Sequence, residues 1–430
     1  MKKKILISAY ALSPVKGSEF AVAWNTVTKL ADHHELWVLY GMSDDHMGDT
    51  QTMRQYIIDH PLPSVHFIEV RGSWLANTIN LLNKVGLGWF FYFAYYLWQK
   101  EALKTAREIL KRVDIDVVHQ LGPIGFREPG FLWELDKPMV WGPIGGMIFT
   151  DERLLQGKAL LTRLKFRLKN SINTYQLNSG RIRTAFEKAD VLFTSTQSGR
   201  EIVKEKFDRD SYYLPEVGIL KQMPFDRNKF KNIADGNVEL VWSGSHIERK
   251  NLELCLDALA KVKATNWVLN VLGSGPLTEK LKLKSSQLNI ADRIKWHGHL
   301  KREEAINVMA QSHLHIITSI AEDNTTVIFE AMSFNVPTLA LNHCGMRDVI
   351  CDSCGIRIDI DDRDMMVNNL AVALNGLLTN PQRLEILAKN TGICADSHSW
   401  DKRLVRLENM YNEAISLHNE RKRVPEILMA

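Results

Sequence analysis

The 430 residues are 45% hydrophobic and 24% charged, with no extended Pro, Gly or Ser tract. This excludes a disordered chain, and the length exceeds one ordinary core, since domains hold about 100–200 residues. A formal net charge of +4 neither requires a nucleic-acid partner nor excludes an anionic surface, and five cysteines, four of them late in the chain, make no disulfide framework and suit a reducing cytoplasm.

The chain opens on lysines followed by Ile5, Leu6 and Ile7, an apolar stretch too brief for an export signal and read as a strand. A rhythm then sets in of short aliphatic run, Gly-containing loop and helical pattern, which predicts a doubly wound parallel sheet. In the first half the predicted strands are 4–8, 35–40, 65–70, 116–119, 139–141 and 191–194. The longest apolar stretch, 85–98, falls short of the roughly 20 residues that cross a bilayer, so no transmembrane helix is predicted. Its aromatic part, 88–98, is read either as core packing or, with Arg163, Lys165, Arg167 and Lys169, as a basic-aromatic face for an anionic membrane. His119 and Gln120 close one strand, and which of them points toward a ligand is left open. Gly145 and Gly146 follow another, where glycines let backbone approach a bound group. A polar stretch, 225–237, predicts the linker between domains.

The rhythm restarts with predicted strands at 238–242, 267–272, 294–296, 314–318, 337–341 and 356–360. Two such sheets imply a cleft between their carboxyl ends, where open α/β sheets bind ligands. After the first of these strands comes Gly244-Ser245-His246-Ile247-Glu248-Arg249-Lys250-Asn251. Two adjacent cations at a helix entrance, with free N–H groups and a positive dipole end, suit a diphosphate. Glu322 precedes a further helix and Glu330 lies about two turns on, so the two carboxylates can read different parts of one extended ligand, while Thr325, Thr326 and their backbone N–H groups face its phosphates, with Asn324 and Val327 beside them in the donor site. Cys351 and Cys354 form a CxxC pair near His343 and Cys344. Zinc is one reading of it, and two thiols flanking a turn is the other; without a second ligand pair the second is adopted and no metal site is expected.

The E-x7-E pair Glu322 and Glu330, followed by Ala331-Met332-Ser333-Phe334-Asn335-Val336-Pro337, resembles the second-domain signature of the retaining GT-B glycosyltransferases of family GT4. Gly273-Ser274-Gly275-Pro276 is similar to the family's GxGP turn and Ser399-Trp400-Asp401 to its closing motif. Gly17-Ser18-Glu19 is similar to its first glycine loop, and Arg127 to a recurrent arginine of a bacterial surface-glycan subgroup. The chain departs where Ser245 fills a common Arg slot and where Asp323-Asn324-Thr325 replaces Gly-Phe-Gly.

The resemblance implies an α/β GT-B fold of two Rossmann-like doubly wound domains facing a cleft. An acceptor-side domain would span 1–220, with a helix at 402–420 packing back on it, and a donor domain 236–400. It implies metal-free transfer with retention from a nucleotide sugar to a glycan or lipid-linked glycan, at the inner face of the cytoplasmic membrane or in the cytoplasm, with no cofactor and no nucleic acid. Arg249 and Lys250 would stabilise the departing diphosphate, Glu322 would meet the donor sugar and Glu330 the ribose. His119 would join the catalytic set. Gly17, Ser18, Gly244, Ser245, Gly273 and Gly275 would complete the donor site, with Glu19, Arg127, Gly145 and Gly146 on the acceptor side.

Three rivals are weighed. A nicotinamide-dependent oxidoreductase lacks its G-x-G-x-x-G after the first strand. A GT-B-shaped nucleotide-sugar epimerase needs a first-domain carboxylate that is not evident. A non-catalytic sugar-nucleotide binder is separated from an enzyme by turnover.

Overall fold

The computed structural model describes residues 2–429 apart from 18, 42, 43, 45–47, 232, 234, 235, 324 and 325, with 84, 85, 89, 231 and 424–429 described by backbone alone. It divides into two units: Met1–Met147, Thr174–Glu216 and Arg403–Ala430 form the first, and Ile148–Asn173 with Val217–Lys402 the second.

In the first unit the strands are β1 (Lys4–Ala9), β2 (Glu35–Tyr40), β3 (Val65–Glu69), β4 (Val117–Gly122), β5 (Met139–Ile144), β6 (Val191–Thr194) and β7 (Tyr212–Tyr213). They pair in the order β3-β2-β1-β4-β5-β6-β7, every pair parallel. Every residue of β4 and β5 is buried, as expected of a parallel sheet covered on both faces. The alternation of side chains along β1 sends Ile5 and Ile7 to one core and Leu6 to the other.

The aromatic segment serves the second of these cores. From the helix Phe91–Leu110, Phe91, Ala94, Tyr95 and Trp98 are buried at helical spacing. The Tyr10 ring meets Phe91, Tyr95 and Trp98 edge-on at centroid distances of 5.6, 5.0 and 4.8 Å, an arrangement favoured by the ring quadrupoles. Tyr95 donates its hydroxyl to the Gly122 carbonyl and Trp98 its indole N–H to that of Val70, so neither polar tip is stranded. Tyr92 and Phe93, on the opposite face, stay exposed.

The other core is closed by the last helix, Trp400–Met429. Its Leu407, Met410, Tyr411 and Ala414, spaced i, i+3, i+4, i+7, are buried among residues of β1, β2, β4 and β5.

In the second unit the strands are β8 (Val238–Ser243), β9 (Trp267–Leu272), β10 (Ile294–Gly298), β11 (Leu314–Ile317), β12 (Thr338–Leu341) and β13 (Gly355–Ile358). All pairs are parallel in the order β10-β9-β8-β11-β12-β13. The segment Ile148–Asn173, inside the 1–220 expected for the first domain, groups with this unit. Its Ile148, Leu154, Leu155 and Phe166 are buried in the core of Leu252, Leu256 and Leu374, and that apolar contact decides its membership. The polar stretch expected as a linker also belongs here, because Phe230 and Ile233 are buried in the same core and Phe225 packs on it.

One cysteine pair comes together although the count promised no framework. Cys351 and Cys394 are joined as a disulfide, while Cys255, Cys344 and Cys354 are free.

Candidate functional site

Strand order fixes where the second unit offers a site. From β8 the chain moves to β9 on one side, and from β11 to β12 on the other. The loops leaving β8 and β11 therefore part at the carboxyl ends of two adjacent strands, the switch point at which such sheets bind ligands. Those loops carry Arg249, Lys250 and Glu322.

The loops are tied by backbone. Ile320 donates its N–H to the Arg249 carbonyl at 2.8 Å, and Thr318 Oγ1 donates to the Asn251 carbonyl at 2.8 Å. Asn251 takes φ +51, a left-handed conformation that asparagine tolerates, and this turns the chain into the helix Leu252–Ala260. Lys158, buried, reaches this turn from the Ile148–Asn173 segment, with Nζ 2.7 Å from Asn251 Oδ1 and 3.1 Å from Glu248 Oε2.

On this frame one carboxylate oxygen takes two cations. Glu322 Oε1 pairs with Lys250 Nζ at 2.6 Å and with the Arg249 guanidinium, which also donates to the Ala321 carbonyl at 3.0 Å. Burial acts to raise the Glu322 carboxyl, but the charges of Lys250 and Arg249 outweigh it and hold the group below the usual carboxylate range. An anionic group entering this crevice would meet two fixed cations already desolvated on one side.

The glycines beside them allow a close approach of backbone to backbone. Gly273 has φ +107, and a Cβ there would run into the Gly244 carbonyl; a Cβ on Gly275 would lie 2.8 Å from the His246 carbonyl oxygen. His246 donates its N–H to the Ser274 carbonyl at 3.1 Å. Ser245 sits in this same loop. Thr326 and Val327 open the helix Thr326–Ser333, and Glu330, one turn on, pairs with Arg302 at 2.8 Å. Ser18, Asn324 and Thr325 lie outside the described residues.

The first unit treats its expected residues differently. His119 is fully buried, Nε2 against the Gly142 carbonyl and Nδ1 against the Tyr411 hydroxyl, both at 2.8 Å. Burial lowers its pKa to about 4, so at neutral pH it is an uncharged imidazole donating to one partner and accepting from the other. That engagement is structural and leaves neither nitrogen for a substrate. Gly145 exchanges backbone hydrogen bonds with Ile124 and Phe126, and Gly146 takes φ +78 beside the Arg127 guanidinium. Arg127 donates through Nε to Gln176 at 2.8 Å and lies over the Phe126 ring. Arg127, Gly145 and Gly146 are thus brought together, whereas Glu19 starts the helix Glu19–Ala31 in the loop region of Gly17. Sequence reading missed Lys158 and Arg302. Lys158 sits in a stretch assigned to the other domain, and Arg302 in a charged run indistinguishable from a solvated helix face.

Residues 224–393 match the family model described as glycosyl transferases group 1. This matched region holds all of Arg249, Lys250, Glu322 and Glu330. Over 109 residues the chain is 33% identical to the lipopolysaccharide 1,6-galactosyltransferase of Escherichia coli K12, covering 24% of this chain and 29% of that protein. The matches span 29% and 37% of the lengths of two curated relatives. In fold, the chain is similar to a sucrose-phosphate synthase from Thermosynechococcus elongatus (TM-score 0.64, 14% identity, 96% of this chain and 100% of that one). It is similar also to Anabaena Alr3699/HepE, whose structure contains UDP-glucose (TM-score 0.58, 15% identity, 96% and 99%). These likenesses establish the GT-B fold.

Among the described residues no helix is long and apolar enough to cross a membrane. Among the described residues, the His, Cys, Asp and Glu side chains gathered closely enough to hold a metal ion are Cys351, Cys354 and Cys394, none of which belongs to the constellation above.

Proposed function

We propose that the chain transfers a sugar from a nucleoside diphosphate sugar to a glycan or lipid-linked glycan, with retention and without a catalytic metal ion. The observation that carries this reading is the convergence of Arg249 and Lys250 on one oxygen of Glu322 at the switch point of the second sheet. The two cations serve the charge that builds on the departing diphosphate, the task a metal ion performs in other sites. Glu322, released from part of that pairing, accepts hydrogen bonds from the transferred sugar, and Glu330 accepts them from the ribose. The helix N-terminus at Thr326 and Val327 adds its dipole.

The similarity to a lipopolysaccharide galactosyltransferase supports a surface-glycan acceptor, and the UDP-glucose held by a fold neighbour makes UDP sugars the first donors to try. A thermal-shift screen of nucleotide sugars tests the donor site: a ligand at about 100 times its Kd adds about 2.7 kcal/mol. Lys250→Ala and Glu330→Gln are expected to abolish the shift, and full turnover in both variants would place the site elsewhere.

We also propose contact with an anionic membrane surface through the helix Leu160–Leu177. Leu160, Leu164, Leu168 and Ile172 form one exposed stripe at a spacing of four, with Leu161 80% exposed beside it, and basic residues flank them at 163, 165, 167 and 169. An apolar stripe with cationic shoulders suits the headgroup region. Flotation with anionic and with zwitterionic liposomes tests it: Leu164→Glu with Leu168→Glu should abolish recovery, and equal recovery on both lipids would remove the claim.

A further inference from the structure

Three cysteines from two elements meet in the second unit, apart from the residues assigned above. Cys351 and Cys354 bracket the turn before β13, and Cys394 comes from the last turn of the helix Pro381–Ser397. Their sulfurs all lie within 4.8 Å of one another, Cys354 Sγ being 2.9 Å from Cys351 Sγ.

The bridge between Cys351 and Cys394 spans a wide backbone separation, and once it is reduced the three sulfurs suit a shared centre. Disulfide-bonded cysteines hold their Cα atoms about 4.4–6.8 Å apart and do not bridge beyond about 7 Å without backbone movement; Cys351 and Cys394 stand 7.4 Å apart. With Zn–S bonds of about 2.3 Å, sulfurs on one tetrahedral ion lie about 3.7 Å from each other; the three sulfurs fall within 4.8 Å, so they are near enough for one ion to reach, and Cys351 and Cys394 would move outward from Cys354 and from each other to admit it. The turn is already folded as a chelating loop: the Cys351 carbonyl accepts from the N–H groups of Cys354 and Gly355, both at 3.1 Å. The Cys351 N–H points at Cys354 Sγ at 3.3 Å, a bond that stabilises a thiolate. The third sulfur is held in place by Thr391, one turn before it, whose hydroxyl donates to the Cys354 carbonyl at 3.0 Å.

We propose that Cys351, Cys354 and Cys394 bind one zinc-class divalent cation through three thiolates, with the fourth position open to water on the side of Ser353. The Ser353 hydroxyl lies 3.2 Å from Cys351 Sγ and 4.0 Å from Cys394 Sγ, marking the solvent-facing edge. The Cys351–Cys394 bridge is first opened by a two-electron thiol reductant, which is itself oxidised to a disulfide; metal binding then changes no oxidation state and displaces the thiol protons to solvent, so affinity rises with pH. The ion fastens the turn before β13 to the helix Pro381–Ser397, in a core shared with Phe329 and Met332 of the helix that bears Glu330. Its role is a staple, independent of whether the donor reading holds.

The test uses the full-length protein, reduced, stripped with chelator and titrated with Co2+ and then Zn2+. Thiolate-to-cobalt charge-transfer absorption should saturate at about one equivalent and be displaced by Zn2+. It should be lost in Cys351→Ser, Cys354→Ser and Cys394→Ser and kept in Cys344→Ser. Zn2+ should raise the melting temperature of the wild type and not of Cys394→Ser, whose metal-free circular dichroism and melting temperature act as the folding control. An unchanged signal in Cys394→Ser overturns the proposal by placing the ligands at His343 and Cys344. Absence of cobalt absorption in the reduced wild type overturns it as well, as does a metal-free Cys351–Cys394 disulfide in protein isolated anaerobically.

Discussion

Glu322 accepts from Lys250 and Arg249 through a single oxygen, so removing either cation leaves the carboxylate with one partner. The fold therefore tolerates the loss better than the chemistry does. Lys250→Ala is expected to lower kcat about 10²–10³-fold, the effect of deleting one fixed donor aimed at developing charge, while the unliganded melting temperature moves by a few degrees; initial-rate kinetics and calorimetry check both parts. Acid acts through the same group. Because the folded carboxyl is held low, its stabilisation is complete above the ordinary value of about 4.3 and disappears as pH falls through the lower folded value. The difference in urea midpoint between the wild type and Glu322→Gln should therefore narrow below about pH 4, and a difference constant from pH 7 to pH 3 would contradict the pairing. His119 acts over a higher window. Held at about 4 in the fold against about 6.5 unfolded, it lets the unfolded chain bind a proton the folded chain refuses, so stability declines as pH drops from about 6.5 to 4. His119→Gln should remove up to one proton's worth of that slope in urea titrations at pH 7 and pH 5. The sequence showed His119 as a strand-end histidine but not its partner, because Tyr411 stands 292 residues away and nothing local links them.

At the scale of elements, the loops after β8 and β9 interlock through glycine. Gly273→Ala sets a Cβ against the Gly244 carbonyl at a positive φ and should cost about 1–3 kcal/mol and weaken nucleotide-sugar binding, as Gly244 leads into Arg249 and Lys250. Gly298→Ala, at φ +68 with open space around the new Cβ, should cost about 1 kcal/mol and spare binding; equal melting temperatures in the two variants would refute the steric account. Strands were the most legible elements, since buried parallel strands read as aliphatic runs. Their ends shifted by one to three residues, as with β4, which runs on to Gly122. β7 escaped notice because two tyrosines make no periodic signal. The donor-side loops were legible because their residues fall at the carboxyl ends of recognisable strands. The aromatic helix was half legible: composition could not say that Phe91, Tyr95 and Trp98 face inward while Tyr92 and Phe93 face out, since that depends on where β1 presents Tyr10.

Over the whole molecule, the chain passes between the two units four times, at 147/148, 173/174, 216/217 and 402/403. Sequence gave the count of units but not these passages, because Leu154, Leu155 and Phe166 read as an amphipathic helix of whichever sheet lies nearest in the chain. A fragment spanning 217–402 therefore lacks part of its own core and should expose the surface that Ile148, Leu154, Leu155 and Phe166 cover. It is expected to bind a hydrophobic dye and to lose that binding when a peptide spanning 148–173 is added; a cooperative melt of the fragment alone would count against the assignment. Tyr411→Ala in the full chain should cost about 3–5 kcal/mol, as large-to-small changes of aromatic core residues do. The closing helix has a consequence in time as well as in space. Synthesis proceeds from the amino end, so the sheet begun at β1 waits until residues 407–414 have left the ribosome before one face is covered. The first unit to be translated is thus the last to be finished, and nascent chains stalled with residue 402 emerged but residues 407–414 still inside the ribosome should remain protease-sensitive in their amino-terminal third while the segment that ends at 402 is already compact.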